Sequence, residues 1–277
     1  MSTPTPLRAI LTGASGGIGC AMAKQLAPLC SELTLLGRNA TALAKLRQSL
    51  NAQAPTLQVH CLAGDLNDTE YQRTLADHAA DTQVNLLIFN AGTNHFGPIQ
   101  QASAEQTKQI LSTNLQSPIL LTQALLPALL QRPQAQIVYV GSMLGYIGYP
   151  GNASYCASKF GLRGFAQALR RELFGTHVAV KYLAPRATDT AINTSAVMNM
   201  NAELGVKTDT PQSVAHQLLK LLHSNRFELK LGWPERLFAL INQVLPALTD
   251  QGIAKQLPVI RKHWQPITMT NTQGQKS

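Results

Sequence analysis

Acidic residues are scarce in this chain of 277 residues, where 14 Asp and Glu stand against 23 Lys and Arg for a formal charge of +9. The excess reflects missing acids, not a basic tract, because the bases are spread out with only short pairs such as Arg170-Arg171 and Arg261-Lys262. A nucleic-acid module shows a basic stripe or a recognition motif, and neither is present, so no nucleic-acid partner is expected. The balance favours anionic ligands, phosphorylated cofactors among them, or an anionic membrane face. Long apolar runs are missing too, since no stretch approaches the ~18 residues of a membrane span. The opening residues Met1–Pro6 have neither a basic region nor an apolar core, so a cytoplasmic location is expected. Cys20, Cys30, Cys61 and Cys156 form no C-x-x-C pair and have no histidine at ligand spacing. Reduced structural thiols and no metal site follow.

What is present is apolar and rhythmic. At 45% hydrophobic content the chain buries a full core. Leu7–Thr12 reads as a strand and runs into Gly13-Ala-Ser-Gly-Gly-Ile-Gly19, after which Ile18, Met22, Leu26 and Leu29 recur at helical spacing. A strand, a glycine turn and a helix make a phosphate site, because the backbone approaches a pyrophosphate closely and the helix start supplies N–H groups. An ordinary tight turn is the alternative. A second strand, Glu32–Leu36, is followed by Arg38 where an acid would take the ribose hydroxyl of NAD; a guanidinium there pairs with a 2′-phosphate instead. NADP(H) is therefore the expected cofactor, unless Arg38 is merely solvated at a helix start.

Further strands are expected at Leu57–Ala63, Val84–Phe89, Gln136–Val140 and Val178–Ala184, with a short edge strand at Phe227–Leu231. A helix opening with a cap at Asn67 follows Gly64-Asp65. Another, from Ala104 to Leu130, contains Asn114, whose carbonyl loses its partner at Pro118. The alternation predicts an α/β fold, a doubly wound parallel sheet whose ligands lie beyond the carboxyl ends of the strands. The glycine turn, Arg38, Asp65, Asn90-Ala91-Gly92, Ser142 and Pro185 all fall at those ends.

Tyr155 and Lys159 stand four apart on a helix running to about Glu172, so phenol and ammonium share a face. A nearby cation lowers a phenol toward the range useful for proton transfer. Taken alone, the pair is one that any helix could carry.

Thr12-Gly-x-x-x-Gly-x-Gly19, Asn90-Ala-Gly92, Asn114, Ser142 and Tyr155-x-x-x-Lys159 stand in the order and spacing of the short-chain dehydrogenase/reductase family, which the chain resembles from about Leu7 to Leu231. The resemblance implies a Rossmann-type domain that transfers hydride between a nicotinamide cofactor and a carbonyl or alcohol. It makes Tyr155 the proton donor, and Lys159 the group that tunes it and holds the nicotinamide ribose. Ser142 becomes a hydrogen-bond partner of the substrate oxygen, and Asn114 the holder of a water linking Lys159 to solvent. Cofactor contacts are expected from Thr12, Gly13, Ser15, Gly16, Gly17, Ile18, Gly19, Arg38, Asp65, Leu66, Asn90, Ala91, Gly92, Pro185, Thr188 and Thr190, with Tyr155 and Lys159. The family usually carries Pro-Gly after the sixth strand, whereas this chain has Pro185-Arg186, which sets a cation near the nicotinamide or pyrophosphate. A catalytically silent regulatory or scaffold protein of the same fold is the alternative, against which Ser142, Tyr155 and Lys159 argue. A homodimer or homotetramer is the expected assembly.

The charge-poor segment Ala191–Val206, with Met198 and Met200, is expected to cover a hydrophobic substrate, or to fill space. Three parts are expected, a catalytic domain over 7–231, a helical extension over 232–267 and a frayed polar tail over 268–277. In the extension, Leu237, Phe238, Leu240, Ile241, Val244, Leu245 and Leu248 form a wide apolar stripe. It packs on the sheet domain or a partner, or it forms a peripheral membrane lip that admits lipid-like substrates.

Overall fold

In a computed structural model of the protein, residues 6–264 are described; the expected tail over 268–277 lies outside them. The elements in chain order are β1 (Leu7–Thr12), α1 (Gly17–Leu26), β2 (Cys30–Gly37), α2 (Ala40–Gln53), β3 (Gln58–Ala63), α3 (Thr69–Asp81) and β4 (Leu86–Phe89). Next come α4 (Ala104–Leu111), α5 (Ser117–Leu130), β5 (Ala135–Val140), α6 (Ala153–Glu172), β6 (Val178–Ala184), α7 (Ser195–Glu203), α8 (Pro211–Leu222), β7 (Glu228–Lys230), α9 (Trp233–Val244) and α10 (Pro246–Lys262). All seven strands are parallel, in the order β3-β2-β1-β4-β5-β6-β7. The order reverses between β1 and β4, where an open α/β sheet forms its ligand crevice.

Strand residues alternate between two cores, because successive side chains leave a strand on opposite faces. Leu11, Leu35, Ile88 and Val138 pack with Met22 of α1, Leu43 of α2 and Leu218 of α8. Ile10, Leu36, Leu87 and Tyr139 pack with Leu75 of α3, Leu125 of α5 and Leu162 of α6. Burial on both faces is why β4 reads as an unbroken apolar run. A third, smaller cluster lies off the sheet, where Phe96, Val197, Met200 and Ile260 join α7 to α10.

Two expectations shift. The helix after Gly64-Asp65 is capped by Asp68, whose carboxylate accepts from the backbone N–H groups of Glu70 and Tyr71 (2.8 and 3.2 Å), so Asn67 is not the cap. Asn67 instead donates to Asp65 and accepts from Ser117. The helix expected over Ala104–Leu130 is broken by a π turn at Ser112–Gln116, centred on Asn114 and ending just before Pro118. Pro118 brings no N–H to the Asn114 carbonyl, and widening the turn accommodates the gap.

The extension belongs to the body of the protein. Ala239 of α9 and Ile260 of α10 are fully buried, Phe238 packs on the second core, and Asn242 donates to the Tyr146 carbonyl (2.9 Å). The opposite face of α9 is bare: Trp233 is 74% exposed and Val244 67%, with Leu237 and Leu240 between them. The wide stripe is thus two faces, one packed and one open.

Candidate active site

The glycine turn is shaped by backbone demands. Gly13 has φ +63, and a Cβ there would stand 2.8 Å from the Ala91 Cα; one on Gly19 would collide with the Gly13 carbonyl. These positions accept glycine alone because the first turn of α1 closes directly onto the end of β1. Gly16 caps α1 with no side chain, and no acid stands in the first turn, so the leading N–H groups remain available to an anion. Thr12 and Asn90 lock this turn to β4. The Thr12 hydroxyl accepts from the Asn90 and Ala91 N–H groups, both at 2.9 Å. The Asn90 amide donates to the Thr12 and Gly13 carbonyls (3.1 and 3.2 Å).

A cleft of about 420 Å³ opens beyond the strand ends. Ile18, Asn90, Gly92, Ser142, Tyr155, Lys159, Pro185, Thr188 and Thr190 line it, so most of the predicted set converges. Ser15 lies over Gly37 at the end of β2, where Arg38 is exposed; Asp65 and Leu66 follow β3 along the same sheet edge, outside the cleft walls. Thr190 packs on Gly17 and faces the glycine turn, while Thr188 is buried and donates to the Arg186 carbonyl (3.0 Å).

Tyr155 and Lys159 lie on α6 with the ammonium 5.6 Å from the phenol ring centre. Lys159 is buried and donates to the Val140 carbonyl (3.1 Å); burial lowers its pKa to about 8. The Tyr155 phenol is raised to about 12, chiefly by desolvation, with hydrogen bonding to Ser142 pulling the other way. Desolvation, where a lowering by Lys159 was expected, is the largest influence on this phenol, and the ammonium is turned toward the Val140 carbonyl. Cys156 is buried beside Tyr155 on the helix and lies outside the cleft lining.

Asn114 is fully buried and its side chain is wholly used within the protein. It accepts from Thr93 N–H (2.8 Å) and donates to the Thr93 carbonyl (2.9 Å) and the Ser158 hydroxyl (3.1 Å). It pins α6 to the loop after β4, which leaves little of the side chain for a water. Arg186 also differs from expectation. Its guanidinium meets Asp209 (2.8 Å) and Glu235 (3.5 Å), so the charge clamps α9 to the cleft rim and is not free for a phosphate.

Several cleft residues escaped sequence reasoning. Asn201 and Val197 come from α7, Pro234, Glu235 and Phe238 from α9, and Gln256 from α10, where it accepts from the Tyr149 hydroxyl (3.0 Å). Only the charge-poor composition of Ala191–Val206 pointed toward any of them.

A glycine turn at the sheet's switch point, opening onto a buried lysine and two hydroxyls, places the molecule among the Rossmann-type oxidoreductases. The family model for short chain dehydrogenases matches residues 8–201, and the chain belongs to that family. Dehydrogenase/reductase SDR family member 7B of Bos taurus is 32% identical over 237 residues, covering 81% of this chain and 73% of that protein. Ketoacyl reductase HetN of Nostoc sp. is 29% identical over 261 residues, covering 91% and 89%. A solved metagenomic short-chain oxidoreductase in complex with NADP is 26% identical, with a TM-score of 0.68 over 81% of this chain and 96% of its own.

Proposed function

We propose that this protein is an NADPH-dependent reductase of a hydrophobic ketone or aldehyde. The observation that carries the reading is the convergence of Ser142, Tyr155 and Lys159 in a cleft whose walls include Met143, Leu144, Ile147, Ile192 and Phe238. The residues present fit a dinucleotide: a side chain on Gly13 or Gly19 would obstruct the turn, and the uncapped start of α1 suits a pyrophosphate. Exposed Arg38, with the Ser15 hydroxyl nearby at Gly37, suits a 2′-phosphate. NADP in the metagenomic relative agrees with that choice.

When bound, the nicotinamide supplies hydride to the carbonyl carbon. Tyr155, neutral at physiological pH, delivers its proton to the substrate oxygen, and Ser142 hydrogen-bonds that same oxygen as charge develops. Lys159, still mostly charged at neutral pH, offsets the phenolate left behind and is placed to hold the ribose. The main-chain carbonyl of Asn114 anchors water for reprotonation. A silent scaffold would have no need of this set.

The test is a panel of aliphatic, aromatic and acyl carbonyl compounds scored by loss of NADPH absorbance. Turnover of at least one apolar member is expected, with Tyr155→Phe lowering the rate by roughly 10²–10⁴ while NADPH binding survives. Near-normal turnover by that variant would sink the mechanism.

The bare face of α9 supports peripheral attachment to an anionic cytoplasmic membrane surface, with the packed face holding the cleft beside it. Flotation with phosphatidylserine vesicles at low salt, weakening as salt rises, is expected; no flotation defeats this part. Exposed Leu111, Leu120 and Phe160 on α4, α5 and α6 support a homodimer or homotetramer, which sedimentation checks.

A further inference from the structure

Asn201 is only 7% exposed and lines the cleft from the end of the second turn of α7. Its main-chain carbonyl accepts from Val206 N–H (2.8 Å), yet its carboxamide makes no hydrogen bond among the described residues. Other asparagines around the site engage their side chains at least in part. Asn193 donates to the Thr188 carbonyl (2.7 Å), Asn94 to Asn152 (2.9 Å), and Asn242 to Tyr146. Most of the residue is buried, but its amide atoms are not sealed in, so the carboxamide meets the cleft with its hydrogen-bonding capacity unspent. Val197 and Met200 on the same helix belong to an apolar cluster that does not include Asn201.

We propose that Asn201 is the polar specificity contact of the substrate end, reading a second, uncharged oxygen on an otherwise apolar carbonyl compound. The inference rests on the reductase reading of the cleft. A carboxamide both donates and accepts, so it pairs with an ester or ketone oxygen or with a hydroxyl. Nothing around it matches a carboxylate. The cations lining the cleft are Lys159 and Arg186, the first bound to the Val140 carbonyl and the second to Asp209 and Glu235. Glu235 itself would repel an anion. The ligand class is therefore a neutral keto ester, diketone or hydroxy ketone with an apolar body.

The experiment is calorimetric titration of the NADP⁺-loaded protein with medium-chain methyl ketones and with β-, γ- and δ-keto ethyl esters of matching length. Wild type is expected to bind at least one keto ester about tenfold more tightly than its matched ketone, the value of one hydrogen bond. Asn201→Leu should erase that preference, leave methyl ketone binding within about threefold, and melt no lower than wild type. Asn201→Ala serves as the second variant if the leucine form fails to fold. A preference that survives in the variants, an equal loss for both series, or no preference in wild type overturns the assignment. Turnover is followed on the same samples. A preference that depends on Asn201 without any turnover would overturn the reductase reading and leave the Asn201 contact standing.

Discussion

Where β1 and β4 meet, the chain has almost no choice of residue; under the roof of α7, α9 and α10 it has a great deal. At the first end the backbone is the recognising surface. Gly13 and Gly19 are fixed by collisions with Ala91 and with the Gly13 carbonyl, and Thr12 by two N–H groups that need its hydroxyl. At the second end side chains recognise, and any set that fills the space and satisfies its charges would serve. Arg186, Glu235, Phe238 and Asn201 are such a set. A site that reads a constant group leaves a pattern in the sequence, whereas a site that reads a variable one leaves only composition.

Lys159 sits at the seam, and its removal gives the largest expected change. Its folded pKa is about 8, below the ordinary 10.5. Below pH 8 the native state therefore carries a costly buried charge. Between pH 8 and 10.5 the native state sheds that proton while the unfolded chain keeps it, so stability rises with pH. Lys159→Met should be more stable than wild type near pH 7, and wild type should recover up to ~3 kcal/mol relative to it by pH 10.5. Parallel urea-unfolding curves across that window would show that burial does not set the lysine's state.

Arg186→Gly restores the family's usual residue and tests whether the roof depends on this clamp. It leaves Asp209 and Glu235 facing each other without their cation, and a loss of about 2 kcal/mol is expected from denaturant midpoints, given partial exposure of all three groups. NADPH affinity should hardly change. A large loss of cofactor binding instead would mean that Arg186 serves the other end. Smallest of all, Arg38→Asp should narrow the preference for NADPH over NADH by roughly tenfold, ~1.4 kcal/mol, in fluorescence titrations. An unchanged ratio would move the 2′-phosphate contact to another residue.

The sheet was legible because burial on both faces leaves unbroken apolar strands punctuated by glycine; β1 and β6 match their expected bounds residue for residue. Tyr155, Lys159 and Ser142 were legible through spacing. The tyrosine's acidity was not, because it follows from desolvation, which depends on what surrounds a side chain and not on its neighbour four residues away. Asn114 was legible as a position but its side-chain partners were not, since composition cannot tell which of its atoms the fold consumes. Arg186 was read as a free cation because its partners lie 23 and 49 residues further on. The two faces of α9 merged into one stripe because both are apolar.

The π turn between α4 and α5 amounts to one surplus residue wound into a helix. Cutting a single residue from Ser112–Gln116 would relax the turn to ordinary α geometry and rotate everything beyond the cut by about 100°. Asn114 would then swing away from Thr93 and Ser158, or the apolar side of α5 away from Tyr139. Apart from Asn114, the segment should therefore accept many substitutions but no deletion, because its length keeps that one side chain within reach of Thr93 and Ser158.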